Sequence, residues 1–355
     1  MKKQIPVCLV AVFGVCLIFN HAGANETADR QLFQSIKSLD LEGAKQALSS
    51  GADPNALDAK YKRWHPLGSL MMNYTHGTWR DGVKNRREVG YDIATLLLSK
   101  GARISRKDNL LFYPVSIGDL KMLELLLDHG ANIFQKIDNM RLIEYAVYYD
   151  QVAIVKLLEE KGARVPDKLE TARLRLQHAI SSCDFEEAKE ALENGATVNE
   201  LLMHGITPLM SASGNNSAHF PEDCFSIFLY LLNHGANPNK TGKNAYMDSG
   251  ESPLHVAVMS ASHVKGDDLR PYQEYELKKI RVLLENGSKI SHMNDLGQTP
   301  LHFASIYNNV SAAEILLSTG CRVMPKDNDG KTPLDYAESS QMISLLKEYG
   351  AVEMP

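Results

Sequence analysis

The stretch that decides the fold is residues 299–320, TPLHFASIYNNVSAAEILLSTG. Thr299 is a favoured N-cap residue, and Pro300 takes the first helical position, where its missing N–H costs nothing. Gly320 follows an apolar run with helical spacing, and glycine readily adopts the left-handed conformation that ends a helix. The stretch therefore predicts two short helices joined by a turn and closed by Gly320.

The same pattern recurs along the chain. A glycine followed by a small residue occurs nine times, at intervals of 29 to 52 residues around a basic period near 33. The glycines are Gly51, Gly101, Gly130, Gly162, Gly195, Gly235, Gly287, Gly320 and Gly350. Helical apolar patterns precede them, and Thr-Pro or Ser-Pro capping pairs follow several of them. Such self-similarity predicts a stack of about nine helix-turn-helix units.

These residues resemble the ankyrin-repeat family, whose unit combines a Thr-Pro-Leu-His start, two helices and a Gly-Ala-Asp-x-Asn turn. The resemblance covers about 29–352 and implies an all-α ankyrin-repeat solenoid with β-hairpin-like tips and no second domain. Departures concentrate in the amino-terminal half, at 64–67, 112–115 and 141–144, where the capping tetrapeptide is replaced. We expect those repeats to be irregular.

The first 24 residues are typical of a secretory signal peptide. Lys2 and Lys3 precede an apolar run from Ile5 to Phe19, and 22–24 is a small-x-small cleavage site. The run is shorter than the ~20 residues that span a bilayer. We therefore expect a signal peptide at 1–24, a solenoid at 25–355, no membrane insertion after cleavage, and export to the periplasm, with the extracellular space as the alternative.

Composition excludes several function classes. Lys and Arg number 38 against 43 Asp and Glu, so the net charge of −5 gives no reason to expect a nucleic-acid partner. Five cysteines without a Cys-x-x-Cys pair argue against a zinc ribbon. Phosphate-loop, zinc-protease and serine-hydrolase motifs are absent. We expect no cofactor, no metal and no enzyme activity, with a Cys-His nucleophile or metal corner at His219, Asp223 and Cys224 as a remote alternative.

Insertions interrupt the repeat near 60–90, 214–224, 240–251 and 260–277. They are rich in Arg, Tyr and Trp, the residues that dominate protein interfaces, although tolerated surface loops are the alternative. We expect two partner-binding patches. The first contains Tyr61, Arg63, Trp64, Trp79 and Arg80, and the second contains Tyr246, Arg270, Tyr272 and Tyr275.

Three cysteines remain after signal cleavage: Cys183, Cys224 and Cys321. Counting back from the repeat glycines places Cys183 and Cys224 at the turns between first and second helices of adjacent repeats. Equivalent points there are roughly 10 Å apart, beyond the ~7 Å limit for bridged Cα atoms. A disulfide therefore requires the 214–223 insertion to swing Cys224 inward, and two free thiols are the alternative. Cys321 should be buried and reduced.

Because an array of repeats exposes extended surfaces and the fold itself specifies no chemistry, we expect a non-catalytic protein-binding module. It should be a monomer before it binds one folded protein partner. Resemblance to bacterial exported ankyrin-repeat proteins implies an immunity or inhibitor role toward a secreted toxin. An exported effector that binds a host protein is the alternative.

Overall fold

The computed structural model describes residues 26–58, 64–76, 84–105, 109–137, 140–202, 205–215, 221–242, 249–261 and 270–352. Side chains are not described for 74–76, 84–85, 221 and 270–273. The predicted signal peptide lies outside the described residues. The chain divides into two compact units, unit 1 (Met1–Val165) and unit 2 (Pro166–Pro355).

Unit 1 is built from helix pairs and one small hairpin. Its helices are α1 (26–38), α2 (Leu41–Ser49), α3 (Pro66–His76), α4 (Lys84–Ser99), α5 (Phe112–Ser116), α6 (Leu120–Asp128), α7 (Leu142–Tyr148) and α8 (Val152–Glu160). Strands β1 (Lys136–Ile137) and β2 (Met140–Arg141) pair antiparallel just before α7. The first helices α3, α5 and α7 pack side by side, and each second helix packs on its own first helix.

Unit 2 repeats this arrangement. Its helices are α9 (Lys168–Ser182), α10 (Phe185–Glu193), α11 (Pro208–Gly214), α12 (Pro221–Asn233), α13 (Pro253–Ser260), α14 (Arg270–Glu285), α15 (Pro300–Ile306), α16 (Val310–Ser318), a 3₁₀ helix (Pro333–Tyr336) and α17 (Ser340–Glu348). The odd-numbered helices from α9 to α15, followed by the 3₁₀ helix, form one layer, and the second helices form the other. One apolar core runs between the layers from Ala172 to Ala351.

The described residues of the two units thus contain nine helix pairs, and the predicted all-α solenoid class is confirmed. Strand structure in the described ranges is confined to the β1–β2 hairpin. Within the same ranges, no helix is both long enough and apolar enough to cross a bilayer.

The repeat glycines end the second helices as predicted. All nine have positive φ, from 85° to 107°, where a side chain would be strained. At each one, the following residue donates its N–H to the carbonyl five residues back, as in Ala52 to Ala47 at 3.1 Å and Ala351 to Leu346 at 2.9 Å. This is the Schellman arrangement, which satisfies the last carbonyls of a helix.

Asparagine at the fifth position of the Gly-Ala turn joins consecutive repeats. Asn239 Nδ2 donates to Gly287 O at 2.9 Å, and its Oδ1 accepts from the Lys289 N–H at 2.8 Å. Asn199 makes the same two bonds to Gly235 and Asn237, and Asn55 makes them to Gly101 and Arg103. The spacing from glycine to asparagine recurs in this chain because the asparagine makes these hydrogen bonds to the next repeat.

The insertions lengthen second helices. Helices α4 and α14 each have 16 residues and α12 has 13, whereas α2, α6, α8, α10, α16 and α17 have nine. The carboxy-terminal parts of the predicted insertions at 60–90 and 260–277 are consequently helical from Lys84 and from Arg270 onward. Added turns at a helix start extend the second layer without disturbing the glycine at the helix end.

Candidate protein-binding surfaces

A tyrosine cluster covers the neighbouring first helices α5 and α7 in unit 1. It consists of Phe112, Tyr113, Tyr145, Tyr148 and Tyr149. The Phe112 ring makes edge contacts with Tyr145 at 5.2 Å and with Tyr149 at 6.3 Å between centroids, and Tyr148 meets Tyr149 at 4.8 Å. Tyr145 is buried and the other four are half-buried, so the cluster is anchored in the fold and partly open to solvent.

Hydrogen bonding and burial hold this cluster in place. The Tyr145 hydroxyl donates to Ile137 O at 3.2 Å, which ties α7 to the β1–β2 hairpin. Burial, and to a lesser degree the neighbouring Tyr148, raise the pKa of Tyr149, so its hydroxyl stays protonated at neutral pH. Rigid aromatic rings with polar hydroxyl tips are the side chains most favoured in protein interfaces.

Phe134 is the most exposed large apolar side chain of the described residues, at 67%. It occupies the fifth position of the turn that starts at Gly130, the place where Asn55, Asn199 and Asn239 join repeats. The phenylalanine side chain cannot make the two hydrogen bonds to the next repeat that asparagine makes at this position. Sequence analysis missed both Phe134 and the tyrosine cluster, and a position-by-position comparison of the turns would have found the replacement at Phe134.

The hairpin turns of unit 2 also expose apolar side chains. Leu201 is 41% exposed, and Met293 and Leu296 are each 51% exposed. The backbone of the turn that carries Met293 and Leu296 is held by a hydrogen bond from the Asn294 N–H to Gln298 O at 3.0 Å. Single exposed apolar residues are ordinary on a protein surface, but these three share the turns that follow the repeat glycines.

The first predicted patch lies largely outside the described residues. Tyr61, Arg63, Trp79 and Arg80 all do so. Trp64 is half-buried, and its carbonyl accepts the Asp58 N–H at 3.0 Å.

In the second predicted patch, Tyr246 lies outside the described residues, and Arg270 and Tyr272 are described only by their backbone in the first turn of α14. Tyr275 is half-buried against Phe225, at 5.7 Å between ring centroids. Its hydroxyl donates to Glu222 Oε1 at 3.1 Å, and this bond raises the pKa of Tyr275. Tyr275 therefore joins α14 to α12, and a role of its exposed edge in partner binding stays a prediction.

Cys183 and Cys224 form a disulfide, with their Cα atoms 4.6 Å apart. Cys183 lies at the predicted turn, as the left-handed C-cap of α9 with φ of 59°. The position predicted for Cys224 is wrong, because this residue lies on the first turn of α12 and not in the preceding turn. The extra turn at the start of α12 is what brings Cys224 beside the end of α9.

Cys321 is a free thiol among the described cysteines, half-buried where full burial was expected. Burial raises the pKa of its thiol to about 11. As for the remote enzyme alternative, His219 lies outside the described residues, and Cys224 has no thiol to offer in its disulfide form. The described residues hold no metal-ligating group of His, Cys, Asp and Glu side chains.

The histidines of the capping tetrapeptides have structural roles. His255 Nδ1 lies 2.8 Å from Ser252 Oγ, and its Nε2 lies 3.1 Å from Gln298 O in the next turn. His302 repeats both contacts with Thr299 and Lys331. His129 and His234 each place Nδ1 at 2.8 Å from the carbonyl four residues back.

Together, the helix pairs and the glycine turns define a helical repeat protein. Comparison with family models matches residues 272–353 to ankyrin repeats in three copies and 204–243 to a further ankyrin repeat. The chain thus contains ankyrin repeats over these two stretches, and its helix pairs have the fold of an ankyrin-repeat solenoid. Members of this class are generally non-catalytic modules that mediate protein–protein interactions.

Similar proteins carry the same family name. An ankyrin repeat protein of Rickettsia felis is 26% identical over 184 residues, which cover 51% of this chain and 43% of the relative. One from Rickettsia bellii is 26% identical over 171 residues, or 42% of this chain and 65% of the relative. A Fowlpox virus ankyrin repeat protein is 32% identical over 119 residues, or 33% and 28%. The chain thus spans less than two thirds of each relative's length.

Proposed function

We propose that this chain is an exported, non-catalytic protein that binds one folded protein partner. The observation that carries the proposal is the group of aromatic side chains in unit 1 that are held by the fold and yet open, fully or in part, to solvent. Phe134 stands where other turns place a joining asparagine, and the tyrosine cluster lies on adjacent first helices. Aromatic anchors that are held rigidly lose little conformational entropy on binding, which favours their use as hot spots.

Two features support export. Residues 1–24 have the composition of a signal peptide. The Cys183–Cys224 disulfide suits an oxidising compartment such as the periplasm, because cytosolic reductants keep most thiols reduced. The resemblance to bacterial exported ankyrin-repeat proteins supports a more specific role, in which the chain masks a secreted toxin and so protects its own cell.

The first test replaces Phe134 by Asn, which restores the residue that other repeats carry, and combines it with Tyr148→Ala. With the partner captured by the mature chain from envelope extract and then purified, we expect the Kd to rise about tenfold or more for each change. Val152→Ala is the matched control, since Val152 is 57% exposed on a second helix. Equal affinity of the double variant and the parent protein would refute the unit 1 surface.

The predicted amino-terminal patch has its own test. Replacing Trp64 and Trp79 by Ala should cost on the order of 2 kcal/mol of binding free energy for each true hot spot. Thermal unfolding of the double variant, followed by circular dichroism, should match the parent within a few degrees. Unaltered binding would remove this patch from the proposal. A toxin as the captured protein supports the immunity role, whereas a host-cell protein as the specific ligand supports the effector role.

A further inference from the structure

In unit 2, a disulfide and the hydrogen bonds of one asparagine connect α9, α11 and α12. The disulfide links the end of α9 to the first turn of α12. Asn215, directly after α11, lies against this bond: its Nδ2 donates to Cys183 Sγ at 3.1 Å and also to Ile180 O. The disulfide and Asn215 therefore form one contact site between α9, α11 and α12.

The backbone carbonyl of the same asparagine accepts a hydrogen bond from Lys279 of α14, which also forms a buried ion pair within that helix. Lys279 Nζ donates to Asn215 O at 2.8 Å and to Glu276 Oε1 at 2.8 Å. Both side chains are almost completely buried, with Lys279 1% and Glu276 2% exposed. The connected residues lie at the bases of two insertions. They are Cys183, Cys224, Asn215, Glu276 and Lys279.

Burial and mutual attraction act in opposite directions on the pKa values of Glu276 and Lys279. Burial lowers the pKa of Lys279 and raises that of Glu276, although each partner favours the charged form of the other. The Ser260 side chain also hydrogen-bonds the Glu276 carboxylate and favours its charged form. The Lys279 ammonium has Asn215 O as its second acceptor, and a buried network of this kind is rigid when satisfied and costly when one member moves.

We propose that the Cys183–Cys224 disulfide is a thiol-controlled latch that holds the first turn of α12 directly, and the amino-terminal part of α14 up to Lys279 through Asn215. A dithiol reductant opens it by thiol–disulfide exchange. The S–S bond breaks, each cysteine sulfur ends as a thiol with one proton, and the two sulfurs of the dithiol become a disulfide after giving up two electrons. Because Cys183 and Cys224 are only 4% and 5% exposed, opening is slow unless the edge of the repeat first loosens.

The effect of reduction should be local. The apolar core of unit 2 is formed by residues such as Leu209, Phe228 and Leu283, which are fully buried and remain packed when the bond opens. A surface depression of about 410 Å³, lined by Ser182, Cys183, Asp184 and Asp223 among others, is the side from which a reductant approaches once this edge loosens. The first turns of α12 and α14 carry Glu222, Arg270 and Tyr272, so the latch controls the second predicted patch.

Hydrogen–deuterium exchange of the full mature chain, oxidised and after reduction with dithiothreitol, tests the latch. We expect the backbone amides of the non-proline residues at 221–226 and 270–279 to exchange on the order of tenfold faster or more after reduction. Amides of α15 and α16, and those of unit 1, should not change. Unchanged exchange at 221–226 and 270–279 would overturn the latch, and so would faster exchange throughout unit 2, because the bond would then support the whole unit.

Two variants complete the test. Cys183→Ser with Cys224→Ser should show the fast exchange permanently. In the oxidised Glu276→Gln, Lys279→Met variant, reduction should still loosen 221–226 but leave 270–279 unaltered, because the link to α14 is gone. A persisting effect at 270–279 would contradict the path through Lys279. None of these readouts depends on the proposed function, whereas loss of partner affinity on reduction would require both proposals to hold.

Discussion

At the scale of single residues, His255 shows how a polar side chain is accommodated in the repeat core. Its Nδ1 accepts hydrogen bonds from Ser252, and its Nε2–H donates to Gln298 O, so the neutral imidazole satisfies both ring nitrogens. Burial lowers the pKa of His255 to about 3. Burial also lowers the pKa values of His292 and His302 in the neighbouring turns.

These pKa shifts predict loss of stability in acid. The unfolded chain binds protons at its histidines near pH 6.5, whereas folded His255 does so only near 3. The contribution of neutral His255 to the free energy of unfolding should therefore be fully present above pH 6.5. It should decrease as the pH drops toward 3, by at most about 1.4 kcal/mol per pH unit for this one group. Urea unfolding at pH 7 and at pH 5 measures the decrease.

His255→Gln tests the assignment, since glutamine keeps a hydrogen-bonding group but does not titrate. The variant should be less stable at pH 7 and should lose less stability between pH 7 and 5 than the parent protein. An identical pH dependence in both proteins would mean that other groups cause the decrease.

At the scale of the helix pair, the joining asparagines explain why the Gly-Ala-x-x-Asn spacing recurs. Replacing Asn239 by Ala removes two hydrogen bonds to the next repeat, at 2.8 and 2.9 Å. We expect a loss of about 1 to 2 kcal/mol in the free energy of unfolding, since each neutral hydrogen bond contributes roughly 0.5–1.5 kcal/mol. Chemical unfolding followed by circular dichroism gives the value.

Asn237→Ala is the matched control for this prediction. The Asn237 Oδ1 accepts only the Asn239 N–H within the same turn, at 2.9 Å, among its described bonds as an acceptor. Its replacement should cost clearly less than that of Asn239. Equal losses would show that the turn itself, and not the contact between repeats, is the source of the stability.

At the scale of the whole molecule, the sequence predicted the repeat architecture well because each helix end is marked by a local signal. A glycine with positive φ and a Thr-Pro or Ser-Pro cap act within a few residues, so their spacing alone indicates the units. The position of Cys224 was predicted wrongly because counting back from Gly235 assumed a helix of ordinary length, whereas α12 has 13 residues.

The functional surface was harder to predict, because it depends on side chains brought together from different repeats. Phe112 and Tyr149 are 37 positions apart in the sequence but meet where α5 packs on α7. Aromatic residues in the insertions are conspicuous in the sequence, whereas those within the first helices look like ordinary core residues. Tyr145 is in fact buried, and only its neighbours are partly open to solvent.

Export makes a prediction for the whole chain. If 1–24 is a signal peptide, the protein recovered from the periplasm should begin at Asn25. Intact-mass measurement and amino-terminal sequencing of the exported protein decide this. A recovered chain that still carries Met1 to Ala24 would contradict cleavage, and one found only in the cytosol would contradict export.

The half-buried thiol of Cys321 has a consequence for how the folded protein keeps its described disulfide. With a thiol pKa of about 11, only about one molecule in ten thousand carries the thiolate at neutral pH. Since the thiolate is the species that attacks a disulfide, Cys321 of the folded chain is a poor nucleophile toward the Cys183–Cys224 bond. The native pairing, once formed, should accordingly persist in the folded protein without exchange to Cys321, and peptide mapping of non-reduced protein after prolonged storage at neutral pH measures this.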